Sequence, residues 1–566
     1  MSYFLRKIKK NKGTYLQIIE GHRDPHTQAV VQTTYKTLGY AEELKSNGIE
    51  DPIAYYSAEV EELNLKLKLD RETNRNNLRL IGDVSPLRYA GYFPVKKILD
   101  TLGVEPYIRL FNEVTGFRYD IYELLSALVF ARIVAPCSKK ATFHDVLPNL
   151  VNGTDASYDQ ILSCCEFVGS NYEKMIEIFT AMVQKKYGTE TSHTYFDCTN
   201  FFFEIDKEDE LRRNGPSKEN RKCPIVGMGL LLDSNMIPIG MKMFPGNESE
   251  KPVLRNIIGD LKEKNQIKGK TVHVADKGLN CADNIVAALK DKDGYIFSKS
   301  VKMLSEVEKT WVKLEQDWVD VLDDVGQVKY RYKECIDSFP YIVKDENGKP
   351  VTIHLKEKRV LTFNPRLAEK QKYEINRMVE KARGLCYSKA KRSEFGDTGK
   401  FIDFTAKNKQ DETVVAKINE DAVATALSYC GYNLLVTSEL NMSASEVYGV
   451  YHNLWRIEES FRVMKTDLDA RPVFLQKKNS IYGHFLICYI SVLLIRLLQF
   501  KVLDNRFGTP EIVKFMRDFK VALSDDNTLI NLTAKGKMVD VFSEAFSVNL
   551  NLYFLKSKHL KAMGLM

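Results

Sequence analysis

Three carboxylates sit where a folded chain could gather oxygen ligands: Asp197, Asp276 and Glu458. Asp197 lies in YFDCTNFFF, an apolar run of the kind that forms a central strand buried on both faces. An isolated ionised carboxylate there is costly unless something neutralises it, and a divalent cation that prefers hard oxygen ligands, Mg²⁺ or Mn²⁺, would do so. The same aspartate also reads as an end-of-strand residue capping a turn through Cys198–Asn200. Asp276 closes the segment TVHVAD and precedes Lys277-Gly278, where the glycine permits a tight turn. Ligand sites in α/β sheets collect at the carboxyl ends of strands, which favours this position. A turn or N-cap aspartate is its plainer reading.

Glu458 belongs to a segment from Ser443 to Leu468 that reads as one long helix. Val447, Val450, Leu454, Ile457, Phe461, Met464 and Leu468 recur at steps of three and four and form a buried stripe. Beside it runs a second stripe of Tyr451, Trp455, Glu458, Arg462 and Lys465. Tyr451, Glu458 and Lys465 are seven apart, so they stack on one side with only about 20° of drift per step. The carboxylate is thus held at the edge of the core between an aromatic ring and two cations. An amphipathic boundary with ordinary charge compensation fits the same pattern. Glu459 is a rival for the acidic role but falls off the stripe.

The elements that must position these residues follow from hydrophobic periodicity. HTYFDCTNFFFEI, PIVGMGLLLD and MIPIGMKMF read as three consecutive strands. A helix (SEKPVLRNIIGDLKEKN), the strand TVHVAD, a helix (CADNIVAALKD) and the strand GYIFSKS come next. This order resembles a ribonuclease H-like α/β domain. Residues 301–425 break the rhythm with short strands (VKYRYKE, PYIVKD, VTIHLK, RVLTF) and a charged helix from Pro365 to about Arg383. The core resumes with GYNLLVTS at 431–438.

The expected fold class is therefore α/β, with a ribonuclease H-like core interrupted by a mainly β insertion and preceded by a β-rich unit and a helical region. Its divisions are 1–54 (β-rich), 55–190 (helical), 191–300 (core, first part), 301–425 (insertion), 426–505 (core, second part) and 506–566 (C-terminal region). The helices of 55–190 suit a helix-turn-helix-like DNA-binding region or a plain helical bundle.

The segment YHNLWRIEESFRVMK, with its Y-x6-E-x6-K spacing, resembles the Y-R-E-K signature of DDE insertion-sequence transposases. It is most similar to the insertion-sequence-four group and its longer relatives with an LW-x-IE-x-x-FR helix. The strand carrying Asp197, the VADKGLN segment and RPVF at 471–474 look like the same group. The resemblance runs from about 190 to 500.

The resemblance implies a catalytic and metal-binding triad of Asp197, Asp276 and Glu458, holding two Mg²⁺ ions for which Mn²⁺ can substitute. The signature's tyrosine and lysine fall on Tyr451 and Lys465. Its arginine falls on Leu454, which lies on the buried stripe. Arg462 or Arg456 would then supply the phosphate contact, with Arg462 favoured because it shares the Glu458 stripe. The implied reaction is cut-and-paste transposition: hydrolysis at the ends of an element, then attack of the 3′-hydroxyls on target DNA. Its implied partners are terminal inverted repeats, target DNA and a second copy of the chain in a synaptic complex. Similar transposases carry an aromatic in the insertion that stacks on a flipped base; Trp311 and Trp318 are candidates, with core packing the plainer role for each. A nuclease without strand transfer and a catalytically silent DNA-binding descendant are the alternatives.

Bulk properties agree with this picture. The 566 residues exceed what one core supports, and a net charge of +7 permits nucleic-acid binding without demanding it. Basic residues at 6–12 and 556–561 could meet a DNA backbone or simply be solvated. Ten cysteines without a C-x-x-C pair, and a start without an apolar signal region, lead to an expectation of a reduced, cytoplasmic setting, and the resemblance implies a bacterial, nucleoid-associated one. No P-loop motif is evident. The apolar stretch Phe485 to Ile495 is shorter than the roughly 20 residues a bilayer requires, which leads to an expectation of a buried core helix and no membrane partner.

Overall fold

Polar and β-forming residues alternate through the first forty positions, and three antiparallel strands result: Ser2–Lys10, Gly13–Arg23 and Val30–Tyr40. In this computed structural model the described residues are 2–23, 30–75, 85–218, 223–264, 267–345, 347–388, 391–404, 416–523 and 528–566. The chain divides between Ser85 and Pro86 into two compact units. In the first, the helix Pro52–Arg75 is tied to the opening strand by Asn64, whose side chain donates to Tyr3 O and accepts from Tyr3 N, each at 2.8 Å. Arg6, Lys7, Lys9 and Lys10 are part of that strand.

The second unit is built on one nine-stranded sheet. Its strands are β1 (His193–Phe202), β2 (Ile225–Leu232), β3 (Pro238–Pro245), β4 (Val272–Ala275), β5 (Gly294–Lys299), β6 (Val319–Leu322), β7 (Val328–Lys344), β8 (Pro350–Phe363) and β9 (Tyr432–Thr437). Across the sheet the order is β6-β7-β8-β9-β5-β4-β1-β2-β3. β1, β2 and β3 are antiparallel neighbours, whereas β1, β4 and β5 run parallel. Every residue of β2 is buried, as a sheet covered on both faces requires. The helices Lys251–Glu263 and Ala282–Lys290 connect β3 to β4 and β4 to β5, where the periodicity predicts them.

The four short strands predicted in 301–425 are two long ones. β7 and β8 pair without a break from Arg331↔Phe363 to Lys344↔Pro350. Polar residues such as Asp337 and Ser338 read as interruptions, but on the outer arm of a hairpin they face solvent and leave the ladder intact. β8 pairs with β9 and β9 with β5, so these strands extend the sheet of the core. Helices Glu306–Lys313, Pro365–Tyr387 and Glu420–Ser428 accompany them.

The helix Lys478–Leu497 lies at the centre of the larger core, against Ile121–Val134 and Tyr158–Ser170. Continued to Val502, it is 25 residues long and apolar enough to cross a membrane, yet 94% of its most apolar window is buried inside the protein. Cys164 and Cys165 are both buried in this core, and all ten cysteines are free thiols.

Candidate active site

The parallel pairing of β1 and β4 puts Phe196 opposite Ala275. Asp197 and Asp276 are the next residues on each chain, at the same level on neighbouring backbones. Adjacent strands lie about 4.8 Å apart, so the two carboxylates stand side by side, Asp197 midway along β1 and Asp276 just past the end of β4. Asp197 is half-buried, with its side chain 22% exposed. Its Oδ1 accepts from the Cys198 N–H at 2.7 Å and lies 3.8 Å from Lys218 Nζ. Burial pushes its pKa up to about 6; Lys218 and the Cys198 N–H oppose the rise, while the charges of Glu250 and Asp276 add to it.

Tyr451 joins this pair to the Glu458 segment. Its hydroxyl donates to Asp276 Oδ1 at 3.1 Å. Burial raises the phenol pKa well above its ordinary value; the charge of Asp276 and, further off, that of Glu458 raise it too, while a hydrogen bond with Ser298 works the other way. Asp197, Asp276, Tyr451 and Glu458 thus form one chain of electrostatic neighbours. Beside Asp276 and Tyr451 opens a cavity of about 570 Å³, whose lining includes Ser298, Lys277, Lys302 and Lys400.

The segment carrying Glu458 begins where the sequence predicts. Ser443 caps it, accepting from Glu446 N at 3.2 Å while Glu446 Oε2 accepts from Ser443 N at 2.7 Å. The single long helix is corrected to two, Ala444–His452 and Trp455–Arg462, followed by a π turn at Val463–Asp467. At the joint, Asn453 N and Leu454 N bond to carbonyls three residues back, at 3.2 and 3.0 Å. This local tightening keeps the chain right-handed, so the stripe survives. Val447, Leu454, Ile457, Phe461, Met464 and Leu468 are buried, and Val450 packs against them.

The adjacent glutamates part company. Glu458 is exposed. Glu459 is buried and paired with Arg496 Nη1 at 3.1 Å, Arg456 Nη1 at 3.3 Å and Arg462 Nη2 at 3.7 Å. The two arginines considered for phosphate contact therefore both reach Glu459. Arg462 remains exposed, and Arg456 stacks over Trp455 at 3.9 Å. Lys465 lies over the ring of Phe201, on the strand that carries Asp197. Trp311 and Trp318 pack against a smaller hydrophobic core that contains Phe196, Tyr295 and Phe297, and Lys333 Nζ lies 5.1 and 5.0 Å from their rings.

Among the described residues, no three His, Cys, Asp or Glu side chains are gathered tightly enough to form a ready-made metal cage. The donor set still suits a hard cation: carboxylate oxygens side by side on neighbouring strands, one of them on a group with a raised pKa. Sequence reasoning missed Lys218 and Glu250. Lys218 sits in the polar stretch PSKENRK and Glu250 just before a helix, and neither belongs to a periodic pattern.

Residues 200–494 match the family model for the transposase DDE domain, more than half of the chain. Among solved structures, the chain is similar to a piggyBac transposase synaptic complex with hairpin DNA determined by cryo-EM. Identity is 11%, coverage 76% of this chain and 79% of that one, and the TM-score 0.35. No curated protein matches.

Proposed function

Because the chain belongs to the transposase DDE domain family, we propose that it is a DNA transposase that cleaves the ends of an insertion sequence and joins them to target DNA. The observation that carries this reading is the Asp197–Asp276 pair side by side on neighbouring strands, linked through Tyr451 to the segment bearing Glu458. The order β3-β2-β1-β4-β5, with only β4 and β5 parallel to β1, supports a ribonuclease H-like core. The Y-x6-E-x6-K segment supports the insertion-sequence-four group within the family.

Asp197, Asp276 and Glu458 would hold two divalent cations, Mg²⁺ or Mn²⁺. When bound, such ions activate an attacking oxygen and neutralise charge on a leaving one. The chain's own residues orient the centre. Tyr451 fixes one oxygen of Asp276, and the Cys198 N–H fixes one of Asp197. Lys465, Arg462 and Arg456 would meet DNA phosphates near the cut. Water displaces the 3′-oxygen at the element's end, and the freed hydroxyl then attacks a phosphodiester of the target. One phosphodiester replaces another, so no external energy source is required. Joining two ends calls for two copies of the chain on DNA, in the bacterial cytoplasm.

The test is cleavage of DNA carrying the element's ends in the presence of Mg²⁺. Asp197→Ala, Asp276→Ala and Glu458→Ala should each abolish cleavage while end binding persists. Cleavage by the Glu458→Ala protein would remove Glu458 from the triad. End binding without cleavage by the unaltered chain would favour a silent DNA-binding protein, and cleavage without joining would favour a nuclease.

A further inference from the structure

Lys218 is delivered to the site by an anchored loop. Asn200, on β1, donates to Pro216 O at 3.2 Å and accepts from Lys218 N at 3.3 Å. Gly215 packs so closely on Gly246 that a Cβ there would stand 1.8 Å from the Gly246 carbonyl oxygen. From this base the Lys218 ammonium donates to Cys198 O and lies 3.8 Å from Asp197 Oδ1 and 3.5 Å from Glu250 Oε1. It is a positive charge set between two carboxylates, one of which is the central residue of the proposed metal site.

A divalent cation on Asp197 and the Lys218 ammonium cannot share that carboxylate without strong like-charge repulsion. The lysine has somewhere to go: its side chain is 41% exposed, and Glu250 offers a second carboxylate 33% exposed. We propose that Lys218 is the built-in counter-ion of the cation-free centre, displaced from Asp197 toward Glu250 when a divalent cation binds. The inference rests on the metal-site reading above and adds a competitor to it. Glu250 is then a positioning residue that receives the lysine.

The experiment is calorimetric titration of the full chain with Mn²⁺ in the absence of DNA. Lys218→Met should bind Mn²⁺ about two- to fivefold more tightly than the unaltered protein, the range expected for losing one partly exposed competing charge. Lys218→Gln repeats the test should methionine perturb the loop, and Lys218→Arg should restore ordinary affinity. Glu250→Gln should weaken binding, and Lys218→Met combined with Glu250→Gln should bind as tightly as Lys218→Met alone. Unchanged or weaker binding by both Lys218→Met and Lys218→Gln overturns the proposal. A double variant as weak as Glu250→Gln would make Glu250 a ligand and overturn its receiving role. If Asp197→Asn leaves Mn²⁺ binding intact, the metal-site reading falls and this inference with it.

Discussion

Asp197 and Asp276 each follow one member of the Phe196–Ala275 pair on parallel strands, so two carboxylates face a common space with Lys218 as the nearby cation. The cost of that arrangement is legible in the raised pKa of Asp197, about 6, for which burial is the leading cause. Between the ordinary carboxylate range and that value, the folded protein holds a proton that the unfolded chain has released. Stability of the cation-free protein therefore falls as pH rises through this window, and the penalty is fully present above it. Asp197→Asn should stabilise the protein against urea by about 1–2 kcal/mol at pH 7.5 in the presence of chelator, and by nothing measurable at pH 3.5. An equal gain at both pH values would mean that ionisation is not the cause.

Glu458 and Glu459 are neighbours in opposite surroundings, one exposed and one buried, and stability separates them. Glu459 compensates the buried guanidinium of Arg496, 1% exposed, and removing it strands that charge. Glu459→Ala should lower unfolding free energy by about 3 kcal/mol. Glu458→Ala, at an exposed position, should stay within about 0.5 kcal/mol of the unaltered protein. Paired urea melts decide the matter. A destabilised Glu458→Ala protein would assign that residue a structural role.

The sequence reading succeeds where one segment is enough. The strand through Asp197, the strand end before Asp276 and the buried stripe through Ile457 and Phe461 follow from local apolar runs. It falls short where the answer lies in pairing between distant segments. That Asp197 and Asp276 share a level depends on the register of β1 and β4. That Lys218 meets Glu250 depends on a loop folding back over β1. The joint at Asn453–Leu454 carries no glycine or proline to mark it, so periodicity reads straight through. The β7–β8 hairpin is obscured for a different reason: the exposed Asp337 and Ser338 interrupt the apolar run of its outer arm, although Tyr341 there is buried.

Tyr451 offers a test of how the helix segment would support the proposed metal site. Its hydroxyl donates to Asp276 Oδ1, while its ring packs against the larger core. Tyr451→Phe keeps the ring and removes only the hydroxyl, with its hydrogen bonds to Asp276 and Ser298. Partners that orient a ligand in this way are typically worth about 10- to 100-fold in metal affinity or activity. The half-saturating Mg²⁺ concentration for cleavage should rise by at least about tenfold. Thermal stability should change by no more than about 1 kcal/mol. An unchanged Mg²⁺ requirement would remove Tyr451 from the site's support.

The core that holds these pieces can be challenged at one close contact. The helices Tyr158–Ser170 and Lys478–Leu497 approach through Gly169 and Gly483. A Cβ on Gly169 would lie 1.7 Å from Asn479 O, and one on Gly483 would lie 1.9 Å from Cys165 O. Both obstacles are backbone, so neither can swing aside as a side chain would. The helices would have to separate, loosening the centre of the core against which Phe461 and Met464 also pack. Gly169→Ala and Gly483→Ala should each cost about 3 kcal/mol or more, near the upper end for overpacking a dense interior. Because the strain lies in one contact, the double variant should cost clearly less than the sum of the two. Additive losses in denaturation experiments would show that the glycines act separately, and a neutral Gly169→Ala would show that the helices stand further apart.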